Sequence, residues 1–514
     1  MNYQFIDGTI CAPATIPGTG AISIIRVSGK EALTIADRII RVTGTPISET
    51  EGYRLRYGTV FEPDGTVLDN VVTSVFRAPH SYTGEDSVEI SCHASKFIVN
   101  AILQQLVAAG ARIAAPGEFT RRAFMNGKMD LAQAEAVADV IASQSAASHR
   151  VAMNQLKGGF SRELKTLRDK LLKMTSLLEL ELDFSEEDVE FASREELAAL
   201  VTEALTHIGR LTDSFRRGNA IRNGVPVAIV GATNTGKSTL LNALLGEDRA
   251  IVSDIAGTTR DTIEETLDVG GVMFRFIDTA GIRETDEVVE RIGIERTFKM
   301  LDAASVVLGM TDLSRSADSV LADAEYIRGK VGSGQSMILL LNKCDAAGGV
   351  NAGKMVSAIR GEGIDAEVIP ISAKSGEGLP VLLEKLGEIG RRLAGATDET
   401  LVTNARHYEA LVNAAAALQR VRTGLGVPDD GSASPVMDNC HRQPVMDEAA
   451  RCIPEGRMQS DHAASVHSHV PQMLPPDLVA QDLREALYHL GSIVGEITTD
   501  EVLGNIFKNF CIGK

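Results

Sequence analysis

The run Gly231-Ala232-Thr233-Asn234-Thr235-Gly236-Lys237-Ser238 limits what this chain can fold into more than any other stretch of it. It has the form GxxxxGKS, and it sits between an apolar run, VPVAIVGA, that reads as a strand and a segment that reads as a helix. Glycines in such a loop let backbone N–H groups turn inward around phosphate, and the helix N-terminus adds positive potential. A lysine at this position reaches the β- and γ-phosphates, and the hydroxyl after it ligates Mg²⁺. Those parts fall to Lys237 and Ser238, with Asn234, Thr235, Gly236 and Thr239 completing the expected phosphate-binding set. A chance glycine-rich turn would explain the string alone, but not its position between strand and helix.

The segments VPVAIVGA, MFRFIDTAG, SVVLGMTD, MILLLNKCD and EVIPISA, separated by helix-like stretches, have the βαβ rhythm of a doubly wound sheet. Such sheets bind ligands at the carboxyl ends of their strands. Asn342-Lys343-Cys344-Asp345 ends one strand, and Asp345 is placed to accept both the N1 and the exocyclic N2 protons of guanine. Adenine lacks that donor pair and would leave buried groups unpaired. Ser372-Ala373-Lys374 follows the next strand and is expected to offer a backbone N–H to the guanine O6. Asp278-Thr279-Ala280-Gly281 has the DxxG form, in which Asp278 holds Mg²⁺ through water and Gly281 senses the γ-phosphate. Thr258 and Thr259 in GTTRD match a first switch, where a threonine completes the Mg²⁺ shell. The motifs stand in order at workable spacing, and together they imply GTP as the ligand.

The residue after DxxG is Ile282, where a water-orienting Gln stands in the commonest small GTPases. Another group must orient the water. Asn234 supplies a side-chain oxygen beside the phosphates and SDIAGTT can offer carbonyls, a set able to hold a monovalent cation where other GTPases place an arginine finger.

A chain of 514 residues exceeds one core and suggests three domains. A net charge of −18 excludes nucleic-acid binding through a broad basic surface, so any RNA partner must use a local patch. No apolar run approaches the ~18 to 20 residues a membrane span needs, and the start MNYQFIDGTICAPATIPG shows no export or organelle signal. The expectation is a soluble, cytoplasmic protein that needs no membrane. Cys11, Cys92, Cys344, Cys440, Cys452 and Cys511 form no framework and read as reduced thiols.

Residues 1–122 mix strand-like runs (AISIIRVSG, NVVTSVFRAP, DSVEISCHA) with helical patterns and read as an α+β domain. Long amphipathic helices fill 123–222, interrupted by the acidic stretch DFSEEDVEF, which reads as a solvated connection. The Ras-like α/β P-loop G domain occupies 223–388, and helical periodicity resumes over 389–514. The fold class expected is therefore multidomain: an N-terminal α+β domain, a discontinuous all-α helical domain whose halves pack together, and the G domain inserted between them. Residues 427–476, rich in Pro, Ser, Asp, His and Met, read as a disordered insert. Cys440, His441, Cys452, His462, His467 and His469 lie in it, at spacings that match no structural zinc pattern.

These strings, with TGEDSVEI, APGEFTRRAFMNGKMDLAQAEAVADVI, ERIGIER and the terminal FCIGK, resemble the tRNA-modification GTPase family called MnmE or TrmE over nearly the whole chain. The insert departs from it, as does Thr233, where the family usually has Pro. The resemblance implies a homodimer joined through N-terminal domains whose fold is like folate-binding tetrahydrofolate enzymes, with G domains that meet across the dimer during hydrolysis. By match, K⁺ ligands would be Asn234, the carbonyls of Ser253 and Ile255, and Thr258, and Mg²⁺ would fall to Ser238 and Thr259. Glu290 matches the glutamate that positions the attacking water, acting with Lys237 and Thr259. A tetrahydrofolate derivative, 5-formyl- or methylene-tetrahydrofolate, would meet Arg26, Glu89, Lys128 and Lys514. Cys511 reads better as a packed thiol near that pocket than as a nucleophile. The resemblance also implies a heterotetramer with the flavin-dependent partner MnmG (GidA). Together they would install a carboxymethylaminomethyl-type group at C5 of the wobble uridine (U34) of certain tRNAs, with GTP/GDP turnover driving G-domain opening and closing.

Two other readings use the same residues. One is a G-protein switch for ribosome assembly, although nothing in the chain resembles a KH GxxG module. The other is a folate-dependent one-carbon transferase that its GTPase only regulates.

Overall fold

The structure is a computed structural model that describes residues 8–18, 20–183, 193–248, 265–277, 301, 304–332, 334–346, 352–364, 366–394, 400–427, 475–497, 500–508, 510 and 513. The acidic connection after Asp183 and nearly all of the 427–476 insert lie outside the described residues.

Alternation of buried and more open positions, clearest in β5 and β6, marks the first sheet. β1 (Ile10–Pro13), β2 (Ile22–Ser28), β3 (Ile40–Val42), β4 (Arg54–Phe61), β5 (Val67–Phe76), β6 (Ser87–His93) and β7 (Arg112–Ile113) pair in the order β3-β4-β5-β6-β2-β1-β7. Helices α1 (Ala32–Ile39) and α2 (Lys96–Ala108) bring Leu33, Ile35, Ala36, Ile102 and Leu106 against Ile25, Val27, Val71, Val75, Val88 and Ile90. Because side chains alternate along a strand, burying Val88 and Ile90 on the helix side sends Glu89 to the other face. The β2–β6 register sets Arg26 opposite Glu89, on that same face. Leu55, Tyr57 and Val72 of β4 and β5 are exposed apolar residues, with Tyr57 opposite Val72 in register.

Next come α3 (Glu118–Met125), α4 (Leu131–Ala142), α5 (Ala146–Leu156), α6 (Gly159–Asp183) and α7 (Arg194–Asn223). The second sheet has β8 (Val225–Gly231), β9 (Glu265–Val269), β10 (Val272–Phe276), β11 (Val306–Asp312), β12 (Ser336–Asn342) and β13 (Glu367–Pro370) in the order β13-β12-β11-β8-β10-β9. All its neighbours pair parallel except the β9–β10 hairpin. β11 and β12 read as nearly continuous apolar runs because helices cover both faces of a parallel sheet. Those helices are α8 (Lys237–Asp248), α9 (Ala317–Arg328), α10 (Ala352–Gly361) and α11 (Leu379–Ala394). α12 (Ala405–Gly424), α13 (Pro476–Val494) and α14 (Asp500–Phe507) complete the chain.

By packing, the chain forms two compact units, one of residues 1–141, 154–209 and 409–514, the other of 142–153 and 210–408. Within the first, the halves of the helical stretch meet: Arg484 of α13 donates to Glu179 of α6 at 2.7 Å across 305 positions of sequence. Leu503 and Phe507 of α14 pack on Leu131 and Ala134 of α4. Within the second, the N-terminal turn of α5 joins the nucleotide-type sheet. Ala147 is buried in its core beside Val269 and Val272, and its N–H donates to the Gly271 carbonyl in the β9–β10 turn at 3.0 Å. Ser145 and Ser148 cap that helix reciprocally, each hydroxyl accepting the other's backbone N–H, at 3.2 and 3.1 Å respectively.

Candidate nucleotide site

The loop between β8 and α8 is shaped by two close approaches. A Cβ at Gly231 would strike the Met310 carbonyl of the paired strand β11, and one at Gly236 would strike the Asn342 Nδ2. Only glycine permits both. Asn234 and Gly236 hold the loop's inward turn with φ of 61° and 99°. The Thr235 hydroxyl donates back to the Ala232 carbonyl at 2.9 Å. The Lys237 ammonium reaches over the loop to the carbonyls of Gly231 and Ala232 at 3.0 and 2.9 Å. Burial disfavours its charged form and pushes its pKa below the usual lysine value, so an anion beside it would be strongly attracted.

Asn342 ends β12, is 3% exposed, and joins three segments. Its Nδ2 donates to the Thr235 carbonyl at 2.7 Å, and its Oδ1 accepts the Ala373 N–H at 2.9 Å. The phosphate loop, the NKCD turn and the Ser372-Ala373-Lys374 loop are thereby fixed to one another. Ser372 and Ala373 are buried and Lys374 is exposed. Ser372 closes its own loop by donating to the Glu377 carbonyl and accepting the Ser375 N–H. Asp345, in the 3-10 turn Cys344–Ala346, is exposed, and its carboxylate makes no hydrogen bond or ion pair among the described residues, which leaves it open to a base. The arrangement can grip a polyphosphate at one end and a donor pair at the other.

Sequence reading did not single out Asp312, which ends β11 and holds the Lys343 ammonium at 2.6 Å. A lone carboxylate closing an apolar strand at the ligand edge was the available signal. Ser253, Ile255, Thr258, Thr259, Asp278, Thr279, Ala280, Gly281, Ile282 and Glu290 lie outside the described residues. Of the expected Mg²⁺ and K⁺ ligands, Ser238 and Asn234 remain. They stand at the start of α8 and in the phosphate loop, with oxygen donors of the kind hard cations take. No cluster of three His, Cys, Asp or Glu suited to a metal occurs among the described residues.

In the other unit, the Arg26 guanidinium donates through Nε and Nη2 to Glu89 Oε1 at 2.9 and 2.8 Å and through Nη1 to the Gly513 carbonyl at 3.3 Å. It lies 5.1 Å from the Tyr82 ring centroid and 5.7 Å from that of Phe119. These two aromatic residues were also not read from the sequence, where nothing marks them. A carboxylate with one oxygen remaining, a cation and ring faces suit a flat heterocycle with an acidic tail. Lys128 donates to the Pro79 carbonyl at 2.9 Å, while Cys511 and Lys514 lie outside the described residues.

The family model described as the GTP-binding protein TrmE N-terminus matches residues 9–128, and that described as the MnmE helical domain matches 131–432 and 432–511. The chain belongs to the MnmE (TrmE) family. Curated MnmE relatives extend over nearly all of it. The tRNA modification GTPase MnmE of Parabacteroides distasonis is 48% identical, with 98% of this chain and 100% of that protein covered. The protein of the same description from Bacteroides fragilis is 47% identical, over 98% and 99%. A crystal structure of Era with MgGDPNP and a segment of 16S ribosomal RNA is 28% identical over 40% of this chain and 68% of that one, at a TM-score of 0.26. No helix among the described residues is long and apolar enough to cross a membrane.

Proposed function

We propose that this chain is a GTP hydrolase that acts in tRNA modification, and that with a flavin-dependent MnmG partner it helps add a carboxymethylaminomethyl group at C5 of the wobble uridine. The observation that carries the reading is the joint at Asn342, which ties the phosphate loop to the turns that would read a guanine base. The full-length relatives named as tRNA modification GTPases support the second half of it.

In this reading Lys237 leaves its loop carbonyls for the β/γ-phosphate oxygens, backbone amides from Asn234 to Thr239 surround them, and Asp345 selects guanine. Mg²⁺, held by Ser238 and Thr259, and K⁺, held by Asn234, Ser253, Ile255 and Thr258, would supply positive charge where it develops on the phosphates. Glu290 would orient the attacking water, with Asp278 and Gly281 as the γ-phosphate sensor. Thr279, Ala280, Lys343, Ser372, Ala373 and Lys374 would complete the nucleotide contacts.

The division of labour we infer assigns 1–122 to folate binding and dimerisation, 123–222 with 389–514 to a helical domain, and 223–388 to the G domain, in a cytoplasmic homodimer. The exposed Leu55, Tyr57 and Val72 on the outer sheet face support self-association, since apolar patches of this kind mark contact surfaces. Arg26 and Glu89 on that face, with Lys128 and Lys514, would hold a tetrahydrofolate derivative, which when bound would supply a one-carbon unit. Glu89 would there accept from the ring's donors, and cations would attract the acidic tail.

Mass spectrometry of tRNA from a strain lacking the gene tests the proposal. Unmodified wobble uridine, restored by the intact gene, is expected. Intact wobble uridine with accumulated ribosome precursors would replace it with an assembly switch. One-carbon transfer by a variant that cannot hydrolyse GTP would favour a transferase that its GTPase only regulates.

A further inference from the structure

Asp312 faces Asn342, the first residue of the NKCD run, in the β11–β12 register. Its Oδ1 accepts both the backbone N–H and the hydroxyl of Ser314, at 2.9 and 2.6 Å, and its Oδ2 accepts the Lys343 ammonium at 2.6 Å. Two donors from one residue fix the carboxylate's orientation, which distinguishes this pair from a swinging surface contact. The side chains are 10% and 37% exposed for Asp312 and Lys343. Burial alone would raise the Asp312 carboxyl, but the Lys343 and Ser314 hydrogen bonds and the Lys343 charge outweigh it and hold the group below the usual carboxylate range.

Lys343 also has a left-handed backbone, with φ of 64°, a region that a non-glycine residue enters rarely and that clusters at functional sites. Its carbonyl accepts the Ala346 N–H at 3.0 Å, closing the turn that carries Asp345. Asp345 is left without an ion pair among the described residues, although a lysine stands only two positions before it. The ammonium is engaged elsewhere.

From this geometry we infer that Asp312 is a positioning and specificity-determining residue of the guanine site, which sequesters the Lys343 ammonium so that Asp345 stays open to the base. Two effects follow. A lysine held by a fixed carboxylate has already lost the rotamer freedom that nucleotide binding would otherwise have to remove. A cation kept off Asp345 cannot mask the acceptor that reads the N1 and N2 protons. The inference rests on the guanine-nucleotide reading above.

The test is a double-mutant cycle on the full chain, read by titration with a fluorescent GDP analogue and by steady-state GTP hydrolysis. Asp312→Asn keeps the size and an acceptor for Ser314 but loses the charge that holds the lysine, and Asp312→Ala removes both. Each is expected to weaken GDP binding by about tenfold and to raise KM for GTP in parallel, with kcat within about twofold. In a Lys343→Met background the same changes are expected to alter GDP affinity by less than about twofold, since the residue acts through the lysine. Equal losses in both backgrounds, or no loss from Asp312→Asn in a folded protein, would overturn the inference. Failure of the unaltered protein to bind GDP would instead sink the guanine reading itself.

Discussion

The side-chain amide of Asn342 donates to the backbone carbonyl of Thr235 at 2.7 Å, 107 positions earlier in the chain. With Ala373 held on its other atom, this one buried carboxamide sets the distance between the phosphate loop and the base-reading turns. Replacing it by alanine strands a carbonyl and an N–H, each at a cost of about 1–3 kcal/mol. Asn342→Ala is accordingly expected to weaken GDP binding by roughly 10- to 100-fold, measured by equilibrium titration. Unchanged affinity would mean that the loops hold their spacing without the bridge.

Asp345 is open to solvent and uncommitted, so its chemistry can be exchanged without breaking the fold. Asp345→Asn turns an acceptor into a donor and should move preference from guanosine to xanthosine nucleotides. Competition of XDP and GDP for the purified variant gives the ratio directly; a variant that keeps full preference for GDP contradicts the base assignment.

The monovalent-cation proposal gives hydrolysis that is faster in K⁺ than in Na⁺ at equal ionic strength. Asn234→Ala, in the loop at φ of 61°, should abolish the difference. Equal rates in the two salts for the unaltered protein would remove the cation from the mechanism.

Burial pushes the thiols of Cys11 and Cys92 from an ordinary 9.0 up to about 11, Cys92 with a smaller contribution from the Asp69 charge. The folded chain therefore keeps these protons after the unfolded chain has lost them. Their contribution to stability is complete below 9.0 and falls as pH rises from there toward about 11. Urea midpoints should decline over that window, and Cys11→Ala should flatten the decline. A midpoint equally steep in the variant would rule out the thiol as its cause.

Much of the candidate nucleotide site could be read because its parts are short contiguous strings, in which residue type and spacing carry the chemistry. Lys237, Asn342, Asp345 and Ala373 each come from such a string, and strand alternation alone predicts that Val88 and Ile90 are inside with Glu89 outside. Asp312 was marked locally only as a carboxylate closing an apolar strand, and its role was not legible, since its partner Lys343 lies 31 positions on. Tyr82 and Phe119 were hidden for the same reason. α5 reads as one more amphipathic helix, and helical period does not say which core its apolar face enters; the packing of Ala147 against Val269 and Val272 does.

The amino-acid sequence by itself determined the class of ligand, because a phosphate loop and a base-reading turn are local backbone devices that work wherever the chain presents them. Only the tertiary structure decided which distant groups act together: Asn342 with the Thr235 carbonyl, Lys343 with Asp312, Arg26 with the rings of Tyr82 and Phe119. Local conformation depends on neighbours a few residues away, whereas these contacts depend on sheet order and register, which bring distant residues within bonding distance.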